Sequence, residues 1–199
     1  MLLFFEGIHL YISLAVLAIA LVALWVQRKS LSYLFFCAIF GIYLIGVASV
    51  IIFPIATLSA EYAEAFRPRL NLIPFYFDGC DEMPRFCLRG IIENILLTIP
   101  FGFGISFIVR LKSKDFLWLA LLVGIVFETI QLIISLVIRS PFRAVDINDV
   151  ILNALGVWFG YSIFRIFGSL YLYITQRFEI NNKYIFAYIY DVVRQSANN

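Results

Sequence analysis

Residues 116–138 read FLWLALLVGIVFETIQLIISLVI, with Glu128 as their single formal charge. A helix needs an apolar run of about 20 residues to cross a bilayer core of about 30 Å. Gly124, Glu128, Gln131 and Ser135 follow one another at spacings that place all four on one helical face. The stretch therefore reads as a transmembrane helix with a narrow polar stripe. Moving outward from it, four further runs have the required length: Ile8–Val26, Leu34–Phe53, Gly90–Val109 and Ile147–Phe167. Composition agrees. The 199 residues are 63% hydrophobic and 14% charged, against about 45–50% and about 25% in soluble domains. A soluble fold of this size could not hide so much apolar surface, and a disordered chain would be far more polar. The expected fold is all-α: a polytopic membrane bundle of five transmembrane helices forming one membrane domain over residues 1–199. The chain's Met1–His9 start has no basic residue ahead of its apolar run, so it reads as a retained span and not as a signal peptide.

Orientation follows from the basic residues of the short loops. Arg28 and Lys29 follow the first span, Arg110, Lys112 and Lys114 follow the third, and Arg177, Lys183 and Arg194 follow the fifth. All fall on one side, which is expected to be cytoplasmic, with the N-terminus outside and the C-terminus inside. The long 54–89 loop is then extracytoplasmic. It holds Cys80 and Cys87, which an oxidising compartment would bridge and a reducing one would leave as two thiols; Cys37 reads as an apolar filler inside the second span. Residues 169–199 read as a cytoplasmic amphipathic tail, with a helix at the membrane interface. The net charge of +2 and the absence of a basic run exclude a nucleic-acid partner.

Polar side chains at membrane depth are costly, so each marks a candidate site. Counted inward from Ile138, Glu128 lies about 15 Å deep, near the midplane. Asp146, Asp149, Asn153, Gly156 and Gly160 form a second stripe on the fifth span, and Asn94 adds an amide from the third. Pro100 is expected to kink that span. Arg67, Arg69, Arg139 and Arg143 lie at the outer rim. The simplest assembly is an outer-leaflet pocket with carboxylates below and arginines above, suited to phosphate or carboxylate recognition. The alternative is that these groups hydrogen-bond one another only to fix helix register. Within the pocket, Glu128 is the candidate general acid or base, and Asp146 with Asp149 could hold a divalent cation. No other cofactor is evident, and no HExxH, GxSxG or zinc-like spacing occurs.

The succession Arg69-Leu70-Asn71-Leu72-Ile73-Pro74-Phe75, then Asn94-Ile95-Leu96-Leu97-Thr98-Ile99-Pro100-Phe101-Gly102, resembles the VanZ-like family of bacterial membrane proteins. The resemblance continues through Glu128-Thr129-Ile130-Gln131, Arg143, and Asp146-Ile147-Asn148-Asp149-Val150-Ile151-Leu152-Asn153-Ala154-Leu155-Gly156, and covers residues 40–165. It implies a bacterial plasma-membrane protein associated with low-level resistance to the lipoglycopeptide teicoplanin. Arg69, Asn71, Asn94, Glu128, Gln131, Arg143, Asp146, Asp149 and Asn153 occupy family motif positions, without established catalytic roles. Two classes of function are expected to compete. One is binding or remodelling of a lipid-linked cell-wall precursor, another membrane lipid or the antibiotic at the outer leaflet. The other is an intramembrane enzyme acting on a lipid headgroup or polyprenyl phosphate. A transporter ranks last, because the inner halves of spans three to five lack a polar path.

Overall fold

The computed structural model describes residues 2–56, 66–77, 80–139, 144–181 and 183–197. Their helices are α1 (Gly7–Val26), α2 (Leu31–Ile52), α3 (Pro84–Gly104), α4 (Ser113–Ile138), α5 (Ile147–Arg177) and α6 (Ile185–Ala197), and a 3-10 turn, Ile105–Phe107, extends α3. All but α6 are long and apolar enough to cross a membrane. The protein is a multi-pass, all-α membrane bundle. Two minimal sheets accompany the helices: β1 (Leu2–Leu3) pairs antiparallel with β2 (Ile55–Ala56), and β3 (Leu70–Asn71) pairs parallel with β4 (Val145–Asp146).

Helix α1 packs on α2, where Leu17 meets Gly41, and it has no buried residue. Most of its apolar surface is left for lipid. The turn between them is short: Arg28 takes a left-handed conformation, and the Ser30 hydroxyl accepts from the Tyr33 N–H at 3.2 Å to cap α2. The closest packing is between α3 and α5, which run parallel. A Cβ on Gly102, Gly156 or Gly160 would collide with the facing backbone at Val157, Ile95 or Ile99 respectively. Lipid supplies no hydrophobic drive between helices, so this close approach is what lets dispersion and polar contacts hold them. Antiparallel α4 closes the other side of α5, where Gly124 sits against the Val150 carbonyl.

Two ends differ from the sequence expectation. Helix α3 begins at Pro84 instead of Gly90, and a disulfide joins Cys80 to Cys87, Cα atoms 5.2 Å apart, across its first turn. Helix α5 continues to Arg177 instead of ending near Phe167. At 1.5 Å per residue it is about 45 Å long, more than the bilayer core requires. The stretch taken as a tail is thus divided: its first part prolongs α5, and α6 folds back along that extension. Val193 packs over Gly168, the Arg165 guanidinium donates to the Ser196 carbonyl, and the Tyr171 hydroxyl donates to the Phe186 carbonyl. Asp191 and Arg194 stay exposed while Val193 is buried, as an amphipathic helix requires.

Pro100 lies inside α3, which runs on to Gly104 before tightening. In the turn ahead of it, the Tyr43 hydroxyl of α2 donates to the Leu97 carbonyl at 2.6 Å. A neighbouring helix thus supplies a donor one residue from the Leu96 carbonyl, which Pro100 leaves without its intrahelical N–H.

Candidate functional site

Helix α5 starts well short of the ends of α3 and α4 on its side of the bundle. Glu128 Oε2 accepts from the Asp146 N–H at 2.9 Å, and Asn94 Nδ2 donates to Asp149 Oδ1 at 2.6 Å. Both α3 and α4 project ten residues beyond these contacts, about 15 Å. The two helices form the walls of a recess with the N-terminus of α5 as its floor, and residues 66–77 dip into it. Glu128 and Asp146 therefore lie at one level.

The floor explains why carboxylates persist there. Asp146 is the N-cap of α5: its Oδ1 accepts from the Asn148 N–H at 2.8 Å, and Asp149 stands in the first turn. The positive end of the helix dipole and its unpaired N–H groups favour negative charge at these positions. Glu128, only 4% exposed, joins the same cluster from α4.

The dipping segment is tied down by amides. Asn71 Nδ2 donates to Asp146 Oδ2 at 3.0 Å and to the Tyr76 carbonyl at 2.9 Å, while its Oδ1 accepts from the Ile73 N–H. Buried Asn148 donates to the same Tyr76 carbonyl at 2.7 Å, and its Oδ1 accepts from the Phe75 N–H at 2.6 Å. The Val145 N–H donates to the Arg69 carbonyl at 2.9 Å. Irregular backbone is tolerated at depth only when the protein satisfies its polar groups, and these side chains do so.

Within this segment Ile73–Tyr76 forms a turn, closed by a Tyr76 N–H to Ile73 carbonyl bond, with Pro74 second and Phe75 third. Phe75 has φ 63°, a position where glycine or asparagine is usual. A bulky aromatic there costs about 1–3 kcal/mol. The residue is 78% exposed, and Leu72, Ile73 and Tyr76 are exposed around it.

The structure brings together Asn71, Asn94, Glu128, Asp146 and Asp149. Gln131 is buried on the same face of α4, beyond Glu128. Asn153 lies deeper; its main-chain carbonyl accepts from the buried Thr98 hydroxyl at 2.9 Å. Its side-chain oxygen, like the Ser135 hydroxyl, is buried without a hydrogen-bond partner among the described residues. The Arg69 side chain is exposed at the edge of β3, and Arg139 ends α4 in a left-handed conformation. Arg143 lies outside the described residues. Both carboxylate oxygens of Asp146 receive N–H donors, and no group of three metal-ligating side chains occurs among the described residues.

A model of the VanZ/LLP1 family matches residues 40–168. The chain belongs to this family. The matched region runs from α2 through most of α5, so it contains the whole recess, while α1 and α6 lie outside it. No curated protein and no solved structure matches the chain. For this VanZ/LLP1 protein the sequence reading overlooked Asn148, Thr98 and Phe75 as working parts of the recess. Asn148 carried a legible signal, since an amide two residues after an Asp N-cap can reach a neighbouring segment. The Phe75 backbone conformation carried none, because Pro-Phe fits many turns.

Proposed function

We propose that this VanZ/LLP1 protein binds an amphiphile at the outer leaflet of a bacterial plasma membrane, and so contributes to resistance against teicoplanin. The amphiphile is a lipid-linked cell-wall component or the lipoglycopeptide itself. Phe75 carries the reading. A strained backbone that holds a large aromatic outward is kept for its side chain, since glycine would fit that turn without strain. Leu72, Ile73 and Phe75 offer an apolar face to an acyl or prenyl chain, and Arg69 stands beside them for a phosphate or carboxylate. In this reading Glu128, Asp146, Asp149, Asn71, Asn94 and Asn148 are the framework that holds the segment. They act by positioning, and turnover is not required. Gln131 and Asn153 belong to the same framework by their place on α4 and on α5.

The test is Phe75→Gly in cells that depend on the protein for teicoplanin protection. Membrane levels should hold and thermal stability should stay level or rise by about 1 kcal/mol, while protection falls. Full protection by Phe75→Gly, and also by a Leu72→Ser and Ile73→Ser double variant, would overturn the proposal.

A further inference from the structure

The end of the bundle that carries Lys29, Arg110, Lys112 and Lys114 contains two adjoining hollows. One, of about 560 Å³, lies between the start of α2 and the turn after α3, and is lined by Lys29, Ser30, Ser106, Arg110 and Tyr188. The other, of about 310 Å³, runs between α2 and α3 and is walled by Phe36, Phe40, Phe103, Phe107 and Phe167. Phe107 belongs to both walls. The Phe36 ring stacks on Phe107 with centroids 4.5 Å apart and lies 5.4 Å from the Tyr188 ring, so these three rings form the step between the chambers.

The two chambers differ in chemistry. No acidic side chain is among the described residues lining the larger one, so Lys29 and Arg110 face it without a carboxylate of the protein's own. Burial, with Tyr33 and Cys37 nearby, pushes the Tyr188 hydroxyl up to about 12 against the opposing Arg110 charge, so it supplies no anion at neutral pH. The smaller chamber is aromatic and lies at the depth of the α2 and α3 spans. A free anion would fill the first and leave the second empty. A neutral lipid would leave the two cations uncompensated.

We infer that the paired hollows are a binding site for an anionic glycerophospholipid of the leaflet at the basic end. Its phosphate meets Lys29 and Arg110, the Ser30 and Ser106 hydroxyls donate to the headgroup, and one acyl chain lies in the aromatic groove. The site is separate from the recess at the opposite end of the bundle and stands or falls independently of it.

The experiment uses the full chain in nanodiscs of mixed phosphatidylcholine and phosphatidylglycerol, with retained lipids counted by native mass spectrometry. Phosphatidylglycerol should be retained selectively. Each of Lys29→Gln and Arg110→Gln should lower that retention about five-fold, and the double variant about twenty-five-fold. Both residues are exposed, so unchanged melting curves are expected. Ile39→Trp, which fills the groove from its rim, should abolish the same adduct while both cations remain. Equal retention of the two lipids by the wild type, or adducts indifferent to the cation variants, would overturn the site. Displacement by inorganic phosphate, together with indifference to Ile39→Trp, would overturn the lipid in favour of a free anion.

Discussion

Glu128 is the one acid of the polar stripe on α4, and its carboxylate accepts from the backbone N–H of Asp146. An acceptor in that place satisfies a main-chain donor that would otherwise be orphaned at depth, a loss of about 1–3 kcal/mol. Glutamine keeps the carbonyl acceptor and removes the titratable group, whereas leucine removes both. If Glu128 positions the recess, Glu128→Gln should retain membrane levels and most teicoplanin protection, while Glu128→Leu should lose both. Loss of protection by Glu128→Gln at normal membrane levels and unchanged melting would instead point to proton transfer. At the same scale, Phe75 accepts an unfavourable φ while its N–H is held by Asn148. The two residues are complementary: Asn148 is buried and fixes the backbone, and Phe75 is exposed.

Helices α3 and α5 depend on glycine for their contact. Gly156 sits where a Cβ would collide with the Thr98 hydroxyl and the Ile95 carbonyl, whereas Gly46 on α2 has open space around it. Gly156→Ala should therefore destabilise the bundle by about 1–3 kcal/mol, and Gly46→Ala should be neutral or slightly stabilising, as Ala is the better helix former. Melting of the detergent-solubilised protein measures both, and equal behaviour of the two variants would count against close α3–α5 packing. The Thr98 to Asn153 carbonyl bond lies on the same seam, so loosening it should also disturb the floor of the recess. The length of α5 has a separate consequence. Its last turns and α6 form a hairpin, and the first turn of α6 meets the 3-10 turn after α3, where the Tyr188 hydroxyl donates to the Phe107 carbonyl.

For the molecule as a whole, the basic loops favour an outside N-terminus and a recess facing out. Impermeant thiol labelling of intact cells checks this in a Cys37→Ala background. Leu72→Cys should label, Lys112→Cys should be protected until the membrane is permeabilised, and the reverse pattern would invert the orientation. The number of spans, the membrane class and the polar stripes of α4 and α5 were legible in the sequence. They rest on composition and on one-dimensional periodicity, which every residue of a helix shares with its neighbours. The family could also be read there, because Asn71, Asn94, Glu128 and Asp146–Asn153 recur as ordered blocks. Three features depended on the tertiary structure: the sunken start of α5, the folding-back of α6, and the conversion of an apparent loop into a segment pinned by Asn71 and Asn148. Depth along a membrane normal is relative: counting residues inward from Ile138 placed Glu128 on its own helix, and only the Asp146 N–H to Glu128 bond set α4 against the start of α5. Hydropathy assigns a side chain to lipid or to protein. Which partner satisfies its polar atoms is decided only when separate helices are brought into contact.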